Sequence, residues 1–242
     1  MAKLKFRDLR KKVIRTCLMM NAMGINQGTS GNVSVRCDAG FLVTASGVPY
    51  DKMKPEHIVE MDLDGGYRGD FLPSTEWRMH YDIFKHRPEA KAIVHVHSTY
   101  ATALACLRKD IPAFHYMIGV TGGASLRCSG YAEFGTQALS DTMLKAMEGR
   151  TGCLLANHGQ ICFGPNLDKA LWLAGEIESL CHQYWAALQA GAPSILTETE
   201  MKTVLARFKS YGKQAGDLVK GEALAVVAPP RRDAPKVKGK KK

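Results

Sequence analysis

The segment Ala92-Ile-Val-His-Val-His-Ser98 constrains this chain more than any other stretch. It is a short apolar run that follows an Arg87-Pro88 break, a pattern that predicts a buried β-strand. Side chains two apart on a strand share a face, so His95 and His97 project together and can hold one metal ion. Two further places supply what that pair lacks. Leu154-Leu-Ala-Asn-His158-Gly159 reads as a second apolar strand ending in a histidine before a glycine turn. Ser74-Thr-Glu76-Trp77 opens a helix with two hydroxyls and a carboxylate. Three imidazoles and one carboxylate match the donor set of an open zinc site. A lone histidine is more often an ordinary half-buried residue, but four donors in agreement favour the metal.

At 242 residues the chain has ample length for one large core or two small ones. Hydrophobic residues make up 45% and charged residues 23%, the balance of an ordinary globular protein. No apolar run approaches the ~18 residues needed to span a bilayer, and Met1–Arg7 lacks a signal-peptide core, so no membrane partner is expected. The seven cysteines are scattered and form no Cys-x-x-Cys pair, which predicts free thiols and a cytoplasmic protein. The net charge of +10 raises nucleic acid as a partner, but its location argues otherwise. From Pro229 onward seven basic residues stand against one acidic, leaving the rest of the chain at +4. That tail has nothing apolar to bury and is expected to be a disordered, solvated appendage, with no specific nucleic acid implied.

Taken in order, residues 4–24 carry apolar positions at helical spacing. Gln27-Gly-Thr-Ser-Gly-Asn-Val-Ser-Val35 then runs from a small-residue loop into a strand, and Phe41-Leu-Val-Thr44 is its hairpin partner. The loop lets backbone N–H groups approach an anion closely, although alone it reads as a tight turn. Thr44-Ala-Ser-Gly-Val-Pro49 is a second hydroxyl-bearing loop, and Ser74-Thr75 at the start of a helix over 74–86 is a third. Three such loops favour a shared phosphate pocket. Residues 58–62 alternate as a strand, 98–107 and 134–147 read as helices, and Ile111–Ile118 as extended chain. Residues 153–157 and 160–163 form a hairpin, and 167–188 is the longest helix, its Tyr184 and Trp185 assigned to the core. A last helix covers roughly 199–210. The sum is an α/β fold: three layers, α/β/α, with a mostly antiparallel central sheet covered by helices.

Asn26-Gln-Gly-Thr-Ser-Gly-Asn-Val-Ser34, Thr44-Ala-Ser-Gly47, Pro73-Ser-Thr-Glu-Trp77, His95-Val-His97, Ile111-Pro-Ala-Phe-His-Tyr116 and Asn157-His-Gly159 occur together, in this order. In these motifs the chain resembles the class II aldolase/adducin family, and within it the L-fuculose-1-phosphate aldolase branch. The resemblance runs from about residue 5 to Tyr211-Gly212 and implies a catalytic domain over 1–215 with a tail over 216–242. It implies one zinc ion per subunit on His95, His97, His158 and Glu76, with Mn2+ or Co2+ able to take the same donors. It implies substrate phosphate among Thr29, Asn32, Ser46, Gly47, Ser74 and Thr75. Thr75 replaces a serine of the fuculose enzyme and Ser46 a threonine, and both keep the hydroxyl. Retro-aldol cleavage leaves an enediolate on the dihydroxyacetone phosphate half, which a Lewis-acid metal stabilises. By the resemblance, Glu76 leaves the metal and shuttles the carbon proton, Tyr116 handles the aldehyde-oxygen proton across a subunit boundary, and Tyr211 closes over the substrate. Read from the residues alone, Tyr116 is a packed aromatic. The family also implies a fourfold homotetramer with the site between neighbours.

The phosphate and enediolate halves are common to every ketose 1-phosphate, so these motifs define the reaction and leave the aldehyde half open. L-fuculose 1-phosphate and the salvage substrates 5-deoxyribulose and 5-methylthioribulose 1-phosphate stand as near equals, the last tied to methionine salvage. Sugar-phosphate epimerase and methylthioribulose-1-phosphate dehydratase chemistry on the same scaffold rank lower. A non-catalytic adducin-like binding module predicts lost metal ligands, yet all four are present.

Overall fold

The computed structural model describes residues 4–38 and 40–210, and one seven-stranded sheet organises them. The chain runs α1 (Arg7–Ala22), β1 (Asn32–Cys37), β2 (Gly40–Thr44), β3 (Ile58–Met61), β4 (Tyr67–Arg68) and α2 (Trp77–His86). It continues through β5 (Ala92–Val96), α3 (Thr99–Ala105), β6 (Ile111–Pro112), β7 (Ser125–Leu126) and α4 (Gln137–Ala146). It closes with β8 (Gly152–Leu155), β9 (Gly159–Gly164), α5 (Leu167–Ala190) and α6 (Glu198–Phe208). Sheet order is β4-β3-β2-β1-β5-β9-β8, and every neighbouring pair is antiparallel. β6 and β7 pair separately.

Strand alternation splits the apolar side chains between two cores. Val33, Val35, Val94 and Val96 face α1, α3 and α5, through Val13, Cys17, Leu104, Ala174 and Ile177. Phe41, Val43, Val59, Ile93 and Ile161 face α2 and α4, through Met79, Ile83, Leu139 and Met143. The expected three layers are therefore present, with β5 central and covered on both sides. This explains why its sequence is a continuous apolar run interrupted only by histidine. α2 ends at His86, and Arg87, which precedes Pro88, leaves the helical region at φ −127° and ψ 83°, in keeping with the steric bar on helix before proline. The cysteines Cys17, Cys106, Cys128, Cys153, Cys162 and Cys181 are free thiols. Among the described residues no helix is long and apolar enough to cross a membrane.

Three expectations are corrected. Ile111–Ile118 is extended only over Ile111–Pro112; the His115 ring accepts the Met117 N–H and starts a 3-10 helix over Tyr116–Thr121. Ser74, Thr75 and Glu76 precede α2, because the Ser74 N–H is held by the Thr44 carbonyl at 2.9 Å and Pro73 bridges to Ala45. Trp185 is 41% exposed, and the buried face of α5 ends at Cys181. At 1.5 Å per residue the helix runs roughly 36 Å, about twice the length of a strand here, so its last turns have no sheet beneath them. The domain boundary near 215, Tyr211 and the basic tail lie outside the described residues.

Candidate active site

β5 carries the site because its neighbours bring their polar ends to one edge of the sheet. His95 lies opposite Asn32 on β1 and Ile161 on β9, and His97 follows one residue beyond the strand. The two rings converge with their Nε2 atoms 3.0 Å apart. His158 comes from the turn between β8 and β9. That turn is tight: Asn157 has φ 55°, and a Cβ on Gly159 would lie 2.5 Å from the Val96 carbonyl. Close approach likewise demands glycine at Gly31, where a Cβ would lie 2.5 Å from the His95 carbonyl. Glu76 completes the group: its Oε1 is 2.9 Å from His158 Nε2 and its Oε2 is 3.1 Å from His95 Nε2. The bond from Ser74 Nto Thr44 O fixes where the segment carrying this carboxylate leaves the sheet.

The donor atoms of Glu76, His95, His97 and His158 all lie within 4.8 Å of one another. Ligands on a tetrahedral Zn2+ at about 2.0–2.1 Å sit roughly 3.4 Å apart, so this set fits a divalent cation with little rearrangement. The tautomer fits as well. His95 Nδ1 lies 2.8 Å from the Gln160 carbonyl, which only accepts, so Nδ1 carries the proton and Nε2 turns its lone pair inward. Burial, together with the neighbouring His95 and His158, pushes His97 down to about 3 and keeps it neutral, the form that binds metal. For Glu76 burial opposes ionisation, but the His95 and His158 rings outweigh it and hold the carboxyl well below its usual range.

A cavity of about 800 Å³ opens over this cluster. Its wall includes Thr29, Thr75, Glu76, His97 and His158, so two of the hydroxyl loops and three of the four metal donors meet in one space. Ser46, Gly47 and Ser74 are not part of its wall, although the Ser46 N–H bonds to the Leu72 carbonyl and so ties their two loops together. Asn32 is buried beneath, its Nδ2 donating to Glu76 Oε2 at 2.9 Å. Tyr116 is 47% exposed, stacked with Phe208 at 6.4 Å, and does not line the cavity of its own chain. Sequence reasoning missed the far wall: Tyr131, Glu133 and Phe134 stand in the segment before α4, and of these only Phe134 fell within the helix expected over 134–147. It also missed Arg108, which bonds Asn157 Oδ1 at 2.6 Å and lies over the Tyr131 ring.

Residues 11–185 match the family model described as class II aldolase and adducin N-terminal domain. The chain belongs to this family. It is 47% identical over 207 residues to a 5-methylthioribulose-1-phosphate/5-deoxyribulose-1-phosphate aldolase of Rhodospirillum rubrum, covering 86% of this chain and 94% of that one. It is 45% identical to an L-fuculose phosphate aldolase of Escherichia coli K12 over 84% of this chain and 95% of the relative. A solved L-fuculose 1-phosphate aldolase superposes with a TM-score of 0.82 at 38% identity, covering 85% of this chain and 98% of the other. The chain is an aldolase of the metal-dependent class, and its Glu76/three-histidine group is a cluster that could hold a metal ion.

Proposed function

We propose that this aldolase reversibly joins dihydroxyacetone phosphate to a short aldehyde, the ketose 1-phosphate being L-fuculose 1-phosphate or 5-deoxyribulose/5-methylthioribulose 1-phosphate. The observation that carries the reading is the convergence of one carboxylate and three imidazoles at the floor of a cavity whose wall also holds Thr29 and Thr75. His95, His97 and His158, with Glu76 at rest, would hold a zinc ion. Bound there, the ion supplies Lewis-acid stabilisation of the negative charge that C–C cleavage leaves on the dihydroxyacetone phosphate half.

The rest is the work of the chain. Thr29, Asn32, Ser46, Gly47, Ser74 and Thr75 bind the phosphate by hydroxyl, amide and backbone donors. Glu76, ionised among its histidines, takes a proton from the hydroxymethyl carbon in the synthetic direction. That carbon's electron pair forms the new bond to the aldehyde carbon, and the phenol of Tyr116 gives its proton to the aldehyde oxygen. Cleavage is the same sequence reversed. Tyr116 stands outside its own cavity, which supports its serving a neighbouring subunit's site within a homotetramer. Tyr211 closes over the substrate. Free thiols at Cys17, Cys106, Cys128, Cys153, Cys162 and Cys181 support a cytoplasmic setting, and the basic tail is accessory.

The test is dihydroxyacetone phosphate release from L-fuculose 1-phosphate and from 5-methylthioribulose 1-phosphate, each with and without a chelator. Chelator-sensitive release is expected, and the ratio of specificity constants names the aldehyde half. Absence of release with metal bound would instead point to epimerase or dehydratase chemistry.

A further inference from the structure

A row of buried polar groups runs away from the reaction centre behind Glu76 and Asn32, and the roles above use neither His80 nor Ser34. His80 lies on the inner face of α2 and is fully buried. Its Nδ1 is 2.6 Å from Ser34 Oγ and its Nε2 is 2.5 Å from Asn32 Oδ1. Asn32 and Ser34 are two apart on β1 and share a face, so the ring bridges them. The row ends where Asn32 Nδ2 meets Glu76 Oε2 at 2.9 Å.

Every proton in this row is determined from the carboxylate end. An ionised carboxylate only accepts, so Asn32 must present its NH2 to Glu76. The amide oxygen then faces His80 and also only accepts, so His80 Nε2 must carry the ring proton. Nδ1 is left bare and accepts from the Ser34 hydroxyl. The alternative, with the amide reversed, sets an oxygen against the carboxylate at 2.9 Å and requires the other ring tautomer. Neither Ser34 nor His80 has access to water as a substitute partner, both being fully buried.

We propose that His80 is a positioning residue: it locks the Asn32 side-chain amide in the one orientation that turns its N–H donors toward Glu76. Ser34 supports the ring tautomer that does so by donating its hydroxyl to the bare Nδ1. His80 touches no substrate atom, and its effect reaches the reaction through Asn32 alone. The proposal rests on the reading of Glu76 as the acid–base group.

Neutron diffraction from deuterated crystals of the metal-loaded enzyme is expected to show deuterium on His80 Nε2 and the Asn32 ND2 group against Glu76. Deuterium on Nδ1, or the amide oxygen facing Glu76, would overturn the proposal. Kinetics supply the second arm, because glutamine can place an N–H near the position of Nε2 and leucine cannot. His80→Leu is expected to lower kcat about 100-fold, with bound metal nearly unchanged and KM rising by a smaller factor through the Asn32 contact to phosphate, and His80→Gln to recover kcat to within about tenfold of wild type. Equal activities of the two variants, or wild-type kcat in His80→Leu, would mean that His80 only fills space. Should His80→Leu fail to fold, Ser34→Ala takes its place with a loss of about fivefold to tenfold in kcat, and an unchanged kcat counts against the proposal. A wild-type enzyme that releases no dihydroxyacetone phosphate from any ketose 1-phosphate would sink the functional reading instead, and the neutron map would still decide the hydrogen-bond chain.

Discussion

His80 has a second consequence at the residue scale, in the response to acid. Burial, aided by the neighbouring His95 and opposed by the Glu76 carboxylate, pushes its pKa down to about 3. The unfolded chain binds that proton near 6.5. Between these values only the unfolded state is protonated, so stability falls as pH drops through the window and is unaffected above it. The slope is about 1.4 kcal/mol per pH unit. Urea unfolding of the metal-free protein from pH 6.5 to 4 is expected to show a slope shallower by that amount in His80→Gln; equal slopes would contradict the buried neutral ring. Glu76→Gln keeps the side chain's size and leaves three histidines for the metal. It is expected to bind metal yet lose about 100-fold or more in kcat, measured as dihydroxyacetone phosphate release beside metal content. The clustering of His95, His97 and His158 was legible in the sequence, because period-two spacing and a histidine before a glycine turn are local signals. The partnership of His80 with Asn32 was not legible. The two are 48 residues apart and meet only because α2 folds back across β1.

At the scale of elements, the site depends on how closely β5 and β9 approach. Gly159→Ala would drive a Cβ to 2.5 Å from the Val96 carbonyl and 3.0 Å from the His97 ring. Backbone must move, so both His97 and His158 lose register. The variant is expected to lose about 2 kcal/mol of stability and to bind metal at least tenfold more weakly, by thermal unfolding and chelator competition. α6 matters in a different way. Thr197 and Glu200 form a capping box at its start, and the helix packs on the 3-10 segment that carries Tyr116, with Phe208 against that tyrosine. Thr197→Ala is expected to cost about 1 kcal/mol, seen as faster amide exchange across both segments. The helix itself announced its presence through apolar spacing. Its seat under Tyr116 did not, because nothing in an amphipathic pattern names the surface that will receive it.

For the whole molecule, the decisive question is whether one chain contains its own active site. Tyr116 does not line the cavity that holds Glu76. If the site is shared around a closed ring, a Glu76→Gln subunit and a Tyr116→Phe subunit restore one another. Equal mixtures, unfolded and reassembled, are expected to regain about a quarter of wild-type activity, the fraction of interfaces that pair an intact Glu76 with an intact Tyr116. No recovery above the separate variants would place both groups on one chain. The exposed end of α5, with Trp185 and Leu188 each near 40% exposed, is the kind of apolar surface such an assembly would cover.

What the sequence determined by itself was local or periodic: the strand that carries two histidines, the hydroxyl-bearing loops, the amphipathic helices, and so the layered fold and the histidines that cluster in it. Those signals survive because strand and helix periods map neighbours in sequence onto a common face. Only the tertiary structure decided which groups share a hydrogen bond across the sheet, that Ser74–Glu76 stand before a helix instead of within it, and that Tyr131, Glu133 and Phe134 wall the cavity. Those contacts join residues far apart along the chain, and their geometry is set by how helices settle on the sheet, which no single segment encodes.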